Sequence, residues 1–365
     1  MRPSPPPLRP PCERQPFRVA AVLLTVLAAL SWRPAASESL GAADEPVSEG
    51  RLLVLNKGDD TLMVFDLPSM RPLATVPVGH EPHEVAAAPG GRKAWVSNFG
   101  DRSVSVVDLQ TYRVVKTIKS PNLDGPHGLA ATPDGRWLML TSEKSRRLIL
   151  IDAARDVIAR AMTTSQQGSH MIALSQGGKE AWVANRGSDT ISLVRLPELR
   201  IRRSVKVGPG PEGIAAAPSG RVIAVALQGN GQVVLLDTGS QQEIASLPAG
   251  QTPIRVAFVP RSFTALVSNR GSGDLTVLDV LSRRVLATVR VGASPGGITV
   301  NASGSRAYVS NGGSNTVSVV SIPGYEVKAE IKAGSQPDGI AFVPAHPGPG
   351  GRGRRRTADT SGGPR

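Results

Sequence analysis

A period of about 42 residues governs this sequence. A proline heads one apolar run at Pro82 and Pro126, Ser169 takes its place once, and Pro211, Pro253, Pro295 and Pro337 follow at steps of 42. Two further columns keep the same step. One reads Asn56, Asn98, Ser142, Asn185, Gln228, Asn269 and Asn311, and the other Asp66, Asp108, Asp152, Arg195, Asp237, Asp279 and Ser321. Each copy carries four short runs rich in Val, Ile and Ala, such as GGITV, AYVSN, TVSVVS and EVKAEIKA between Ala293 and Gly334, with Gly, Asn, Ser or Pro between them. Runs so composed and punctuated predict strands. Four strands in about 42 residues is the spacing of one β-propeller blade.

The runs AWVSN (94–98), AWVAN (181–185), ALVSN (265–269) and AYVSN (307–311), followed by SVSVVD, TISLVR, LTVLDV and TVSVVS, resemble YVTN-type repeats, from which the YncE-like bacterial exported propellers are built. The resemblance spans roughly residues 51–344. It implies an all-β fold, a seven-bladed propeller of four-stranded antiparallel blades. About chemistry it implies little, because this architecture serves enzymes, electron-transfer partners and binding scaffolds alike.

The ends of the repeat predict how the ring closes. Residues 51–79 supply only three strands, while SQPDGIAFVP (335–344) is an eighth copy of the first-strand motif with no blade behind it. Joined, they form blade 1, and closure removes the strand edges that an open array would expose. Blades 2 to 7 follow as 80–120, 121–164, 165–208, 209–250, 251–292 and 293–334. One domain over 51–344 is expected, preceded by a small, acidic, flexible lead-in at 38–50 and followed by a disordered basic tail at 345–365.

The net charge of +13 sits mostly outside the repeats, because residues 1–37 and 345–365 each hold five Arg against one acidic residue. That weakens the nucleic-acid reading of the basic composition, and an aromatic content of 4% leaves few platforms for stacking bases. Residues 1–37 combine Arg2, Arg9, Arg14 and Arg18 with an apolar run from Val19 to Leu30 and small residues at Ala35–Ser37, the form of a secretory signal. The run is short for a membrane span, so a periplasmic or secreted monomer without a span in the mature chain is expected. Cys12 is the only cysteine and precedes the apolar run. A mature chain without thiols has no disulfide, no thiolate metal ligand and no covalent c-type haem.

In a propeller the innermost strands begin at the mouth of the central channel, so repeat columns become rings there. The residue after the column proline, taken round the ring from blade 1, is Asp338, His83, His127, His170, Glu212, Ile254 and Gly296. Three of the five histidines share this column in consecutive blades, which chance explains poorly. Three neutral imidazoles with an open position are the ligand set of a catalytic zinc, and copper, iron or manganese also fit. His80, Glu212 and Asp338 are candidate additional ligands. The competing reading is structural: histidines copied by blade duplication that hydrogen-bond loop carbonyls or water.

A second ring, from the Asn-x-Gly turns, reads Lys57, Phe99, Glu143, Arg186, Gly229, Arg270 and Gly312. Lys57, Arg186 and Arg270 form a candidate anion rim. The column after the histidines is mostly Gly (Gly128, Gly213, Gly297, Gly339), suited to close backbone approach, and Glu84, Met171 and Arg255 depart from it. Strand alternation turns Glu84 away from His83, toward the adjoining blade.

No Gly-rich phosphate loop, Gly-x-Ser-x-Gly elbow or zinc-protease helix is present, so nucleotide and serine-hydrolase chemistry have no support. The leading expectation is a binding module that presents a His-rich metal or ligand site to a small molecule or protein on the top face. The alternatives are a metal-dependent enzyme (a hydrolase or lactonase, or an oxidoreductase) using Glu143, Glu212 or Asp338 as proton carrier, and an electron-transfer or quinoprotein partner.

Overall fold

The computed structural model describes residues 50–67 and 69–345. The signal expected at 1–37 lies outside them, as do the lead-in except Gly50 and the basic tail except Ala345. The described chain forms seven antiparallel sheets of four strands each. Six are consecutive in sequence. The seventh takes Pro337–Pro344 as its inner strand, paired with Gly50–Asn56 in a register from Gly50↔Pro344 to Asn56↔Pro337. This is the closure that the orphan eighth motif predicts.

Burial within a blade falls outward. Second strands such as Lys93–Asn98 (KAWVSN) are buried along nearly their whole length, whereas outer strands such as Arg113–Lys119 (RVVKTIK) are mostly exposed. A strand covered on both faces must be apolar throughout, which is why these runs read as continuous rather than alternating. The core lies between the blades, in seven clusters that each straddle one pair of neighbours. Trp95 fills the seam between blades 2 and 3 and Trp182 that between blades 4 and 5, so both pack blade against blade.

The column residues build the blade ends. Asn98 Nδ2 donates to Ser103 Oγ and Ser105 Oγ at 2.8 and 2.9 Å, tying the second strand to the third, and Asn185, Asn269 and Asn311 repeat the pattern. At the opposite end Asp108, Asp152, Asp237 and Asp279 accept from backbone N–H groups two or three residues on. On the channel-mouth side, the residue before the column proline has positive φ in all seven blades, as at Glu81 (φ 50) and Gly125 (φ 66). This kink aims every inner strand into the channel alike.

The inner strands touch closely. A Cβ on Gly128 would stand 2.3 Å from the His170 carbonyl oxygen, and one on Gly339 would stand 2.3 Å from that of His83. Glycine is required for this approach, as the sequence column suggested. Hydroxyls fix carbonyls of the same column: Ser97 donates to His127 O at 2.6 Å, Thr141 to His170 O at 2.5 Å and Ser268 to Gly296 O at 2.7 Å, each from one blade to the next. The mouth residues are thus held from both sides through their backbones.

Candidate functional site

Both rings meet at one channel mouth. The side chains of His83, His127, His170, Glu212 and Asp338, from the inner strands, line one cavity of about 130 Å³ together with Lys57, Phe99, Glu143, Arg186 and Arg270 from the turns. A second cavity of about 270 Å³ adjoins it over blades 6, 7 and 1, sharing Lys57, Arg270 and Asp338. There Gly296, Gly312 and Gly313 leave space where other blades carry side chains.

The histidines form a stack. Lys144 Nζ lies 4.3 Å from the Phe99 ring, Phe99 lies parallel to His83 at 4.8 Å, His83 meets His127 edge-on at 4.7 Å, and His127 lies 3.7 Å from His170. The three rings differ in charge. Burial pulls His83 down to about 4, despite the Asp338 carboxylate, which works the other way. Burial, then the neighbouring His170 and His83, hold His127 well below the usual histidine range. Burial also opposes a charge on His170, but Glu212 and Glu143 outweigh it and raise its pKa.

His170 is the centre of an ion cluster. Its Nε2 bonds Glu212 Oε1 at 2.8 Å and its Nδ1 bonds Glu143 Oε2 at 3.2 Å. Arg186 closes the square, with Nη2 donating to Glu143 Oε1 at 2.9 Å and Nη1 to Glu212 Oε2 at 3.4 Å. A ring with both nitrogens on carboxylates is an imidazolium, which has no lone pair for a metal. Among the described residues no group of three or more His, Cys, Asp or Glu is placed to hold an ion. The expected His83–His127–His170 metal set is therefore not what these side chains form here: Glu212, an expected additional ligand, and Glu143, an expected proton carrier, hold His170, while Asp338 faces Lys57. His80 is also elsewhere: it is exposed and pairs with Asp60 at 2.9 Å.

Arg186 is likewise no free member of an anion rim, since both carboxylates occupy it. Lys57 Nζ stands 3.6 Å from Asp338 Oδ2. The Arg270 side chain has no hydrogen-bond or ion-pair partner among the described residues.

One ion pair escaped the sequence reading. Arg255, on the inner strand of blade 6, reaches Glu84 on that of blade 2, at hydrogen-bonding distance of 2.5 Å. These blades are not neighbours, so the pair spans the channel below the mouth. Arg255 Nη1 also stands 3.7 Å from Glu212 Oε1. The expectation that Glu84 faces the adjoining blade fails because each inner strand carries a β-bulge here: Pro82 pairs with Asn98 but Glu84 with Ser97. The extra residue cancels the alternation, and His83 and Glu84 both reach the channel. The signal was present in the Gly column, where Glu84 and Arg255 are the two charged departures and are opposite in sign.

Residues 18–176 match the family model described as YNCE-like beta-propeller. Over that stretch, a little under half of the chain, the sequence is similar to YNCE-like propellers, and the described residues form a seven-bladed β-propeller. Solved structures agree on the fold of the whole ring. Hydrazine synthase of Kuenenia stuttgartiensis superposes with a TM-score of 0.68 at 21% identity, covering 75% of this chain and 92% of that one. A protein of unknown function from Desulfotomaculum acetoxidans DSM 771 gives 0.71 at 13% identity, covering 80% and 98%. The dihydro-haem d1 dehydrogenase NirN, in complex with DHE, gives 0.62 at 15% identity, covering 81% and 75%. A comparison with curated proteins finds no match.

The charge states at the mouth of this propeller set its acid stability. His83 and His127 titrate lower in the folded protein than in the unfolded chain. From about pH 6.5 down to about 4 the unfolded state therefore binds more protons, and stability falls as pH falls. Glu212, which burial alone would raise but which His170, Arg255 and Arg186 bring down to about 2, extends the loss below pH 4.5. His170 works oppositely and contributes stability that is lost as pH rises through its raised folded value. Urea midpoints should drop steadily between pH 6.5 and 4, and His83→Asn should flatten that slope. A flat profile in the wild type would contradict the neutral imidazoles.

Proposed function

We propose that this chain is an exported binding module that takes a small organic anion at the mouth of its propeller channel. One observation carries the reading. Of nine buried polar side-chain atoms without a hydrogen-bond partner among the described residues, five cluster here: His83 Nδ1 and Nε2, His127 Nδ1, Arg255 Nε and Asp338 Oδ1, the other four being the Oδ1 atoms of Asn98, Asn269 and Asn311 and Gln241 Oε1. Folded proteins satisfy nearly all such atoms, and each orphan costs roughly 1–3 kcal/mol. A concentration of them in a preformed cavity is the signature of groups kept for a ligand. Arg270, open to the same cavity, gives the preference for negative charge. The leader at 1–37 supports export. The likeness to hydrazine synthase and NirN is one of fold alone and adds no chemistry.

The test is isothermal titration of the purified protein at pH 7 with acetate, propionate, L-lactate, succinate, L-malate and citrate. At least one should bind with a Kd between about 10 µM and 1 mM. Its affinity should weaken with added salt and fall at least tenfold in Arg270→Glu. Zinc, run alongside, should give no saturable signal, because His170 is held as an imidazolium. No saturable heat from any acid, or a zinc isotherm abolished by His127→Ala, would overturn the proposal, and the second result would restore the metal site.

A further inference from the structure

We propose that the glycine-lined half of the mouth is a subsite for an α-hydroxycarboxylate, in which Arg270 takes the carboxylate and Asp338 the hydroxyl. The inference rests on the ligand-binding reading above and adds the chemical class of the ligand.

The cavity of about 270 Å³ lies between blades 6, 7 and 1, with Arg270, Gly296, Gly312, Lys57 and Asp338 in its lining. Blades 2 to 5 fill the ring position with His or Glu, whereas blade 7 has Gly296. A Cβ there would come 3.0 Å from Asp338 Oδ1 and 3.3 Å from Ser310 Oγ. The missing side chain leaves only the glycine beside that buried oxygen on the cavity side.

Asp338 is only 6% exposed. Its Oδ2 faces Lys57 at 3.6 Å, while Oδ1 is buried without a partner among the described residues. Burial works against its charge, but Arg255, His83, Lys57 and Arg270 prevail and lower its pKa, so at neutral pH it is a carboxylate. A carboxylate accepts hydrogen bonds and donates none, so the group that meets Oδ1 must be a donor. Arg270, in the same cavity, presents a fork suited to the two oxygens of a carboxylate.

A ligand for both must hold a carboxylate and a donor close together. A hydroxyl on the neighbouring carbon does so in the smallest molecule, as a cavity of this size demands. Charge separates the hydroxyl from an ammonium. Lys57 and Arg270 stand against the single carboxylate of Asp338, so the subsite has a surplus positive charge that a monoanion neutralises. A zwitterionic amino acid would leave the surplus and bring its ammonium toward Lys57.

The experiment compares L-lactate, D-lactate, propionate and L-alanine by isothermal titration on the full chain. The better lactate enantiomer should bind at least tenfold more tightly than propionate, and alanine should bind more weakly than that lactate. Asp338→Ala should reduce the lactate-to-propionate preference to within about twofold. Gly296→Ala, which covers Oδ1 without changing any charge, should weaken lactate about tenfold while leaving the melting temperature within a few degrees. It tests the same oxygen should Asp338→Ala fold poorly. Equal binding of lactate and propionate, a preference that survives both substitutions, or tighter binding of alanine would overturn the inference while leaving the anion site intact. Failure of every carboxylate in the wider panel would instead remove the ligand-binding reading, and this one with it.

Discussion

Ending the chain at Gly334 is expected to abolish the soluble, folded ring. The strand Pro337–Pro344 lost in that truncation is the inner strand of blade 1 and pairs along the length of Gly50–Asn56. It belongs to two seams at once, with Ile340 buried between blades 7 and 1 and Val343 between blades 1 and 2. Burying two such aliphatic side chains contributes about 3–6 kcal/mol, before the ladder and the newly exposed strand edges are considered. Total stabilities are commonly about 5–15 kcal/mol, so the ring has little left without this strand. Size-exclusion chromatography and thermal melting should show aggregate or a poorly cooperative species, while a chain ending at Ala345 should melt like the full one. A Gly334 truncation that melts within a few degrees of the full chain would refute ring closure by this strand.

Arg255→Met should be the most damaging single change at the mouth. The guanidinium and its partner Glu212 are buried, and its other partner Glu84 is mostly so. Burial raises the pKa of Glu84 even with Arg255 beside it. Without Arg255 that carboxylate faces the interior unpaired, and breaking a buried pair from one side typically costs about 3–5 kcal/mol. The double variant Arg255→Met/Glu84→Leu should recover most of the loss. Because Glu84 escapes its penalty by taking a proton, the deficit of the single variant should also shrink as pH falls toward 5. Urea denaturation of the three proteins measures this. A single-variant loss below about 1 kcal/mol, or no recovery in the double variant, would show that the pair is not the buried link that spans the channel.

The architecture was legible because its determinants are local and repeated. The column prolines and the Asn and Asp positions each close a turn within one blade, so seven copies of each expose the period. The membership of the mouth was legible for a related reason, since a propeller turns columns into rings. Its chemistry was less so. His83, His127 and His170 are alike in sequence, yet His170 alone lies between Glu143 and Glu212, which come from the blades on either side. Charge was therefore decided by neighbours that no single blade contains. Arg255 and Glu84 lie 171 residues apart, and the bulge that turns them inward breaks the two-residue alternation from which their direction was inferred. Arg186 could be placed on the rim from its column, but its engagement by two carboxylates depended on the closed ring.

The central claim is that the orphaned atoms at the mouth serve a ligand. The most direct measurement is the ¹⁵N spectrum of protein labelled at histidine, recorded at pH 6.5 to 7 before and after addition of the tightest-binding carboxylate. His170 should show the pattern of a doubly protonated ring in both spectra, and His83 and His127 that of neutral rings. Addition of the acid should move the nitrogens of His83 and His127 along one saturable curve whose Kd equals the calorimetric value. Saturable binding that leaves both rings unmoved, or a neutral His170 at pH 6.5, would contradict the site described for this mouth.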